Sequence, residues 1–402
     1  MKILTFGHIP TWAGGQQESG LANVIYQLAK HGSEVEGVDV VLAATDCYVP
    51  HRMDGKLPIL GWTKASLVRY MMLHPFDAVK GFINLLELKK KYPTTESFLG
   101  IYLKRLFLKK SLGNIKPDVI HLHGAQTVWY QSLIPSNSKL VVTFHGMIGL
   151  DDNLPEKAVY YKMERDSFLS SRVNEIFFIC TQLVNSFVKE YGTNGKRNLV
   201  IFNSYDNCRF YLEEKTEREP VSNNQVKLYT VASLSDRKGQ MRVLEALASL
   251  PDCSGFQYRC IGGDSNGFSI KLDAYAHDHQ VDFAYLGKRN PDDIRRLLSD
   301  ADYMIMPSSS EAFGLTYLES IACGVPVILP KNLPIAQEKE LINDNNSILL
   351  DDCSVESITA LLAQIDSYHF DKKRVANSVV GYSWDDIAKL YVKEFKRIIQ
   401  RS

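Results

Sequence analysis

Pro-Ser-Ser-Ser-Glu-Ala-Phe-Gly-Leu-Thr-Tyr-Leu-Glu-Ser-Ile-Ala-Cys-Gly-Val-Pro-Val-Ile, residues 307–328, decides how the rest of the chain is read. The apolar run Tyr303–Met306 before it predicts a buried strand. A small polar loop, Ser308–Ser310, follows, and a helix is expected to start near Gly314. Gly324 before Val325-Pro326 is a stop signal, and a second strand comes next. Such a strand–loop–helix–strand unit aims free backbone N–H groups out of the carboxyl edge of a sheet. That edge suits an anion, typically phosphate.

Two carboxylates bracket the helix start. Glu311 lies in the loop, and Glu319 lies one to two turns inside the helix. A carboxylate repels phosphate but accepts hydrogen bonds from vicinal hydroxyls. Phosphate between two hydroxyl-bearing groups is the layout of a nucleotide sugar. The same spacing also fits an ordinary α/β unit with two solvated glutamates.

The unit belongs to a longer alternation. Beyond residue 225, strands are expected at Lys227–Ser233, Gln257–Gly262, Val281–Leu286 and Ser347–Leu350, with helices at 239–250, 268–279, 291–299 and 354–366. The first half reads similarly, with strands at Lys2–Phe6, Gly37–Ala43, Pro117–Leu122, Lys139–Phe144, Glu175–Cys180 and Asn198–Phe202. Its helices are expected near 19–31, 157–172 and 181–191. Two such alternations predict an α/β protein of two doubly wound Rossmann-like domains. The boundaries are placed at 1–203, at 204–380, and at a C-terminal amphipathic segment, 381–402. Residues 213–225 have a linker composition.

Bulk properties exclude several classes. At 402 residues the length suits two or three domains, and a net charge of zero gives no general attraction to nucleic acid. Seven scattered cysteines, without a C-x-x-C pair, argue against a disulfide framework or a zinc site and for a reducing cytoplasm. The start is too short an apolar stretch for a signal peptide, and no window has transmembrane length. Residues 51–116 stand apart, with thirteen Lys and Arg against four Asp and Glu, interleaved with aromatic and apolar residues. Helices of that composition lie on an anionic membrane surface, or pack as an ordinary pair with their lysines in water.

Other loops also sit at strand ends. Gly14-Gly15 lies between the first strand and helix, without the G-x-G-x-x-G dinucleotide pattern. His121-x-His123-Gly124 and His145-Gly146 end two central strands, where open α/β sheets bind ligands. Val231-Ala-Ser-Leu-Ser-Asp-Arg-Lys-Gly239 puts Arg237 and Lys238 at a helix start.

Glu311-x7-Glu319, with Phe313-Gly314-Leu315 between and Ala322-Cys-Gly-Val-Pro326 after, closely resembles the signature of family 4 retaining glycosyltransferases (glycosyltransferases group 1). Thr143-Phe-His-Gly146, the 231–239 element, the Ile201-Phe-Asn-Ser-Tyr-Asp206 hinge and Tyr285-Leu-Gly-Lys288 resemble further elements of that family. The resemblance implies a GT-B architecture, two Rossmann-like domains facing across a cleft, with the last helix packing back on the first domain. It implies that Glu311 contacts the transferred sugar, Glu319 the ribose, and the amides around Phe313, Gly314 and Leu315 the diphosphate. Lys238 would stabilise the leaving group, His145 would lie near the reacting sugar, and Gly14, Gly15, Arg237 and Lys288 would complete the donor site. Serine at 233, where the family has arginine, departs from the pattern.

The expected activity is retaining, metal-independent transfer of a hexose or N-acetylhexosamine. The acceptor is a glycan or lipid-linked intermediate of surface polysaccharide synthesis. The donor is a nucleotide sugar, a UDP-sugar being favoured over a GDP-sugar, and no cofactor, metal or nucleic acid is expected. The site is cytoplasmic, with an anionic membrane surface as a partner of 51–116. Two alternatives stay open: a non-catalytic partner subunit, favoured by Ser233, and a nucleotide-sugar epimerase or hydrolase of the same fold.

Overall fold

The computed structural model describes residues 1–16, 19–48, 51–151, 154–213 and 225–401. Most of the stretch read as a linker lies outside them. The chain divides into two compact units, Met1–Asn203 with Trp384–Ser402, and Ser204–Ser383.

Unit 1 holds an eight-stranded sheet in the order β3-β4-β2-β1-β5-β6-β7-β8. The strands are β1 (Lys2–Gly7), β2 (Asp39–Ala44), β3 (His51–Asp54), β4 (Leu57–Leu60), β5 (Val119–His123), β6 (Lys139–Phe144), β7 (Glu175–Phe178) and β8 (Asn198–Val200). All neighbours pair in parallel except β3 with β4. The central strands are apolar on both faces because helices cover both sides. Helix α1 (Gly20–Ser33) starts at Ser19, whose side chain accepts the Ala22 N–H, and it buries Val24, Ile25 and Leu28. Leu21, on the same helix, is exposed.

The basic segment differs from its reading as helices. Residues 51–60 form an antiparallel edge hairpin whose two-residue turn is Gly55-Lys56, with Gly55 at φ +60°. A glycine at the first position of a two-residue loop between short runs is the local hairpin signal, and the high charge of the segment hid it. Helices α2 (Lys64–Leu73), α3 (Pro75–Lys91) and α4 (Phe98–Ile115) follow. The helix Trp384–Gln400 completes unit 1. Its Tyr391 and Phe395 lie against Phe177 of β7, with ring centroids 5.2 and 5.9 Å away. Asp385 meets His31 of α1 at 2.7 Å.

Unit 2 is a six-stranded sheet, all parallel, in the order β11-β10-β9-β12-β13-β14. Its strands are β9 (Val226–Val231), β10 (Phe256–Ile261), β11 (Phe283–Tyr285), β12 (Tyr303–Ile305), β13 (Val327–Pro330) and β14 (Ser347–Leu350). The chain enters at the centre, runs out to β11, then crosses to β12 on the other side of β9. The direction of winding reverses between β9 and β12, and the crevice outside their carboxyl ends is where such sheets bind ligands. The loops that line it are 232–239 and 306–314.

Gly262, at the end of β10, has φ +151°, and a Cβ there would sit 1.9 Å from the Ala232 carbonyl oxygen. A Cβ on Gly263 meets nothing within 4 Å. Gly262→Ala should therefore lower the stability of unit 2 by about 2–3 kcal/mol in urea denaturation, with Gly263→Ala close to wild type.

Candidate functional site

The two crevice loops of unit 2 are strapped together by backbone and arginine contacts. The Ser309 N–H donates to the Arg237 carbonyl at 2.9 Å. Arg242 donates to the Pro307 carbonyl at 2.7 Å, and Arg237 to the Ser310 carbonyl at 2.7 Å. Gly239 permits this approach: at φ +84°, a Cβ would stand 2.6 Å from the Pro307 oxygen. The straps place Lys238 Nζ 2.5 Å from Glu311 Oε1, with Arg237 Nη1 at 3.4 Å from the same oxygen. Lys238 and Glu311 are buried side chains, whereas Arg237 is half exposed. Burial pushes the Lys238 ammonium below its ordinary pKa, and the Glu311 charge opposes that shift.

The helix Leu315–Ala322 starts at Gly314, which has φ +93° and no side-chain cap. A Cβ on Gly314 would press to 2.7 Å from the Tyr317 ring. Tyr317 in turn donates its hydroxyl to the Met306 carbonyl at 2.7 Å, fixing the helix start against the end of β12. Phe313 is buried, so it anchors the loop from within. The helix start carries a partial positive charge that favours an anion. Glu319 is half-buried, and its carboxylate has no hydrogen bond among the described residues. Burial first, and the charge of Asp206 second, raise its pKa to about 7. Lys288 sits exposed on the loop after β11. Ser233 is exposed as well, and its carbonyl accepts from Gln240 at 3.2 Å.

In unit 1, His145 lies just beyond β6. Its Nε2 is 3.0 Å from Nδ1 of His123, and His121 Nε2 is 2.7 Å from Thr143 Oγ1. His123 Nε2 and His145 Nδ1 are buried with no hydrogen-bond partner among the described residues. Burial lowers all three imidazoles, His121 and His145 to about 3, so the cluster is neutral at pH 7. Gly14 (φ +86°) and Gly15 form a tight turn, and a Cβ on Gly15 would strike the Ile9 carbonyl oxygen at 1.9 Å. Glycine at 15 is thus required by the loop's own backbone.

Residues 19–207 match the family described as Glycosyltransferase Family 4, and residues 213–375 match Glycosyl transferases group 1. The chain belongs to the group 1, family 4 glycosyltransferases. The relatives of this glycosyltransferase include the lipopolysaccharide glucosyltransferase WaaG of Escherichia coli, 24% identical over 247 residues that cover 58% of this chain and 61% of that protein. The N-acetyl-alpha-D-glucosaminyl L-malate synthase of Bacillus anthracis is 24% identical over 59% of this chain and 61% of its own. The matched stretch thus spans less than two thirds of either relative. A GDP-mannose-dependent phosphatidylinositol dimannoside mannosyltransferase of Mycobacterium tuberculosis is 30% identical over 28% of this chain and 29% of its own.

Among solved structures, the sucrose-phosphate synthase of Thermosynechococcus elongatus superposes with a TM-score of 0.71 at 14% identity, covering 100% of both chains. Anabaena Alr3699/HepE in complex with UDP gives 0.68 at 15% identity, over 99% of this chain and 100% of that one. The fold of the glycosyltransferase is GT-B. No group of three or more potential metal ligands occurs among its described residues, and no described helix is long and apolar enough to cross a membrane.

Two carboxylates that shape the glycosyltransferase's loops were not legible in its sequence. Asp46 accepts the Ile9 and Gln16 N–H groups at 3.1 and 2.9 Å and so holds the Gly14-Gly15 loop. Glu164 accepts the Ile148 and Gly149 N–H groups at 2.7 and 2.8 Å and holds the loop after His145. Neither sits in a motif, and only the tertiary contact identifies it.

The histidine cluster makes unit 1 acid-sensitive. Each folded-state pKa lies below the ordinary value of about 6.5, so the unfolded chain binds more protons between about pH 6.5 and 3. Stability should fall as pH drops through that window. Melting at pH 7 and at pH 5 should show a smaller difference for His121→Gln than for wild type.

Proposed function

We propose that this chain is a retaining glycosyltransferase that moves a hexose or N-acetylhexosamine from a nucleotide sugar to a glycan or lipid-linked acceptor in surface polysaccharide synthesis. The observation that carries the proposal is the convergence of Lys238, Arg237 and Glu311 beside an uncapped helix start at the switch point of unit 2. The donor binds mainly to unit 2, and unit 1 serves the acceptor. In the reaction the bond between the anomeric carbon and the diphosphate oxygen breaks. The acceptor oxygen bonds to the same face of that carbon, and its proton passes to the departing diphosphate.

Lys238, Arg237 and the amides around Gly314 stabilise the charge that grows on the leaving group. These groups supply the positive charge that a divalent metal supplies elsewhere, so the transfer is metal-independent. Arg237 fills the place of the cation that Ser233 lacks. Glu311 orients the sugar hydroxyls once phosphate draws the two cations away from it. Glu319 accepts from the ribose hydroxyls, and His145, neutral, hydrogen-bonds the sugar near the anomeric carbon. A UDP-sugar is the favoured donor, a choice supported by the UDP of the HepE neighbour. The names of the lipopolysaccharide and phosphatidylinositol relatives support a lipid-linked or surface-glycan acceptor.

Donor turnover with and without Mg²⁺ tests the reaction. Lys238→Ala and Glu311→Gln should each lower transfer by about 10²–10³-fold with the fold intact. Unchanged transfer in both would refute the site, and loss of wild-type turnover on adding a chelator would refute metal independence. Anomeric configuration of the product, read by NMR, tests retention.

Glu319 links donor binding to pH. The ionised carboxylate is the form that accepts hydroxyl donors, and its pKa stands at about 7. UDP-glucose, which does not titrate near neutrality, should therefore bind more tightly at pH 8 than at pH 6. Glu319→Gln should bind more weakly at pH 8 and lose the pH dependence, as measured by calorimetry.

A further inference from the structure

Helix α3 buries only Ala78 and Leu85 along its seventeen residues. Phe76, Val79, Ile83 and Leu86 recur at i, i+3, i+7 and i+10 along its outer face, all exposed, Phe76 by 90%. Met72 and Leu73, 72% and 67% exposed at the end of α2, extend the stripe. A contiguous apolar stripe of this kind marks a contact surface rather than ordinary exposure.

Around the helix from that stripe, α3 and α4 enclose a cavity of about 210 Å³ lined by Asp77, Lys80, Asn84, Tyr102, Arg105 and Lys109, among others. Arg105 is 2% exposed. Its guanidinium donates to the Trp129 carbonyl, to Asn84 Oδ1 at 2.6 Å and to Ser132 Oγ at 3.5 Å, all neutral acceptors. Its Nε has no hydrogen-bond partner among the described residues. Among the described residues no carboxylate pairs with Arg105, Lys80 or Lys109. Asp77 is the one acid in the cavity wall, so three cations face a single carboxylate. Burying a guanidinium without a counter-charge costs several kcal/mol, a cost that an anion in the cavity would offset. Tyr70, His74, Lys110 and Lys116 continue the basic surface in the adjoining depression.

We propose that unit 1 binds the phosphate headgroup of an anionic lipid in this cavity, with the outer stripe of α3 lying in the bilayer surface. Charge complementarity selects the occupant: Lys80 stands on α3 between the apolar stripe and Arg105, where a phosphate beside acyl chains would lie. The proposal does not depend on the sugar-transfer reading.

The test is flotation of the whole protein with vesicles of phosphatidylcholine alone or with about 30% phosphatidylglycerol. Wild type should float with the anionic vesicles at low salt, at least tenfold more than with the neutral ones. Lys80→Glu/Lys109→Glu and, separately, Phe76→Asp should each reduce that partition about tenfold, with melting temperatures unchanged. Lys80 and Phe76 are exposed and Lys109 is partly so, which keeps the test independent of whether an Arg105 variant folds. Absence of flotation, or flotation unchanged in both variants, would overturn the proposal. Stabilisation by soluble glycerol phosphate without flotation would overturn it too, and would assign the cavity to a soluble phosphate ester.

Discussion

The loops after β9 and β12 approach so closely at Gly239 that a methyl group there would stand 2.6 Å from the Pro307 carbonyl oxygen. That close approach puts Lys238 and Arg237 on Glu311, and it puts all three beside the uncapped helix start at Gly314. The buried Lys238–Glu311 pair adds little net stability, because desolvating both charges offsets most of their attraction. Its value is positional. Each partner is held extended toward the crevice, and an anion entering there competes for cations that are already oriented. Preorganised charge of this kind has only a short shift to make from the carboxylate to an entering anion.

Unit 1 uses a different electrostatic device at the ends of β5 and β6. Three imidazoles lie in a row, neighbouring ring centroids 4.3 and 5.2 Å apart and tilted, in a buried setting that keeps them uncharged. Neutral imidazoles donate and accept without imposing a field, which suits contact with an uncharged sugar or hydroxyl. Cationic chemistry is gathered at the switch point of unit 2, and neutral hydrogen bonding at the strand ends of unit 1.

The sequence was most legible where a local rule and a motif agree. The 307–328 unit folds as read because strand, turn glycine, helix and stop glycine are each dictated locally, and Gly314 and Gly324 both have positive φ. The clamp between 237–239 and 309–311 was legible only in part. Lys238 and Glu311 could be named, but whether Arg237 turns inward depends on the Ser310 carbonyl, which is supplied by a loop more than seventy residues away. The hairpin at 51–60 was missed because charge density masked the Gly55-Lys56 turn. Asp46, Glu164 and Arg105 were invisible for a common reason: each is a single polar residue whose meaning comes from the distant backbone or cavity it serves.

The discontinuity of unit 1 bears on how the chain is made. Tyr391 and Phe395 close the core over His121 and Phe177, yet they are synthesised after the whole of unit 2. During translation the first two hundred residues must wait with part of one face of their sheet uncovered, while unit 2 can close on itself. That face is apolar and transiently exposed, a natural point of engagement for chaperones. Unit 2 can therefore be complete before unit 1 is, the reverse of the order in which they begin along the gene.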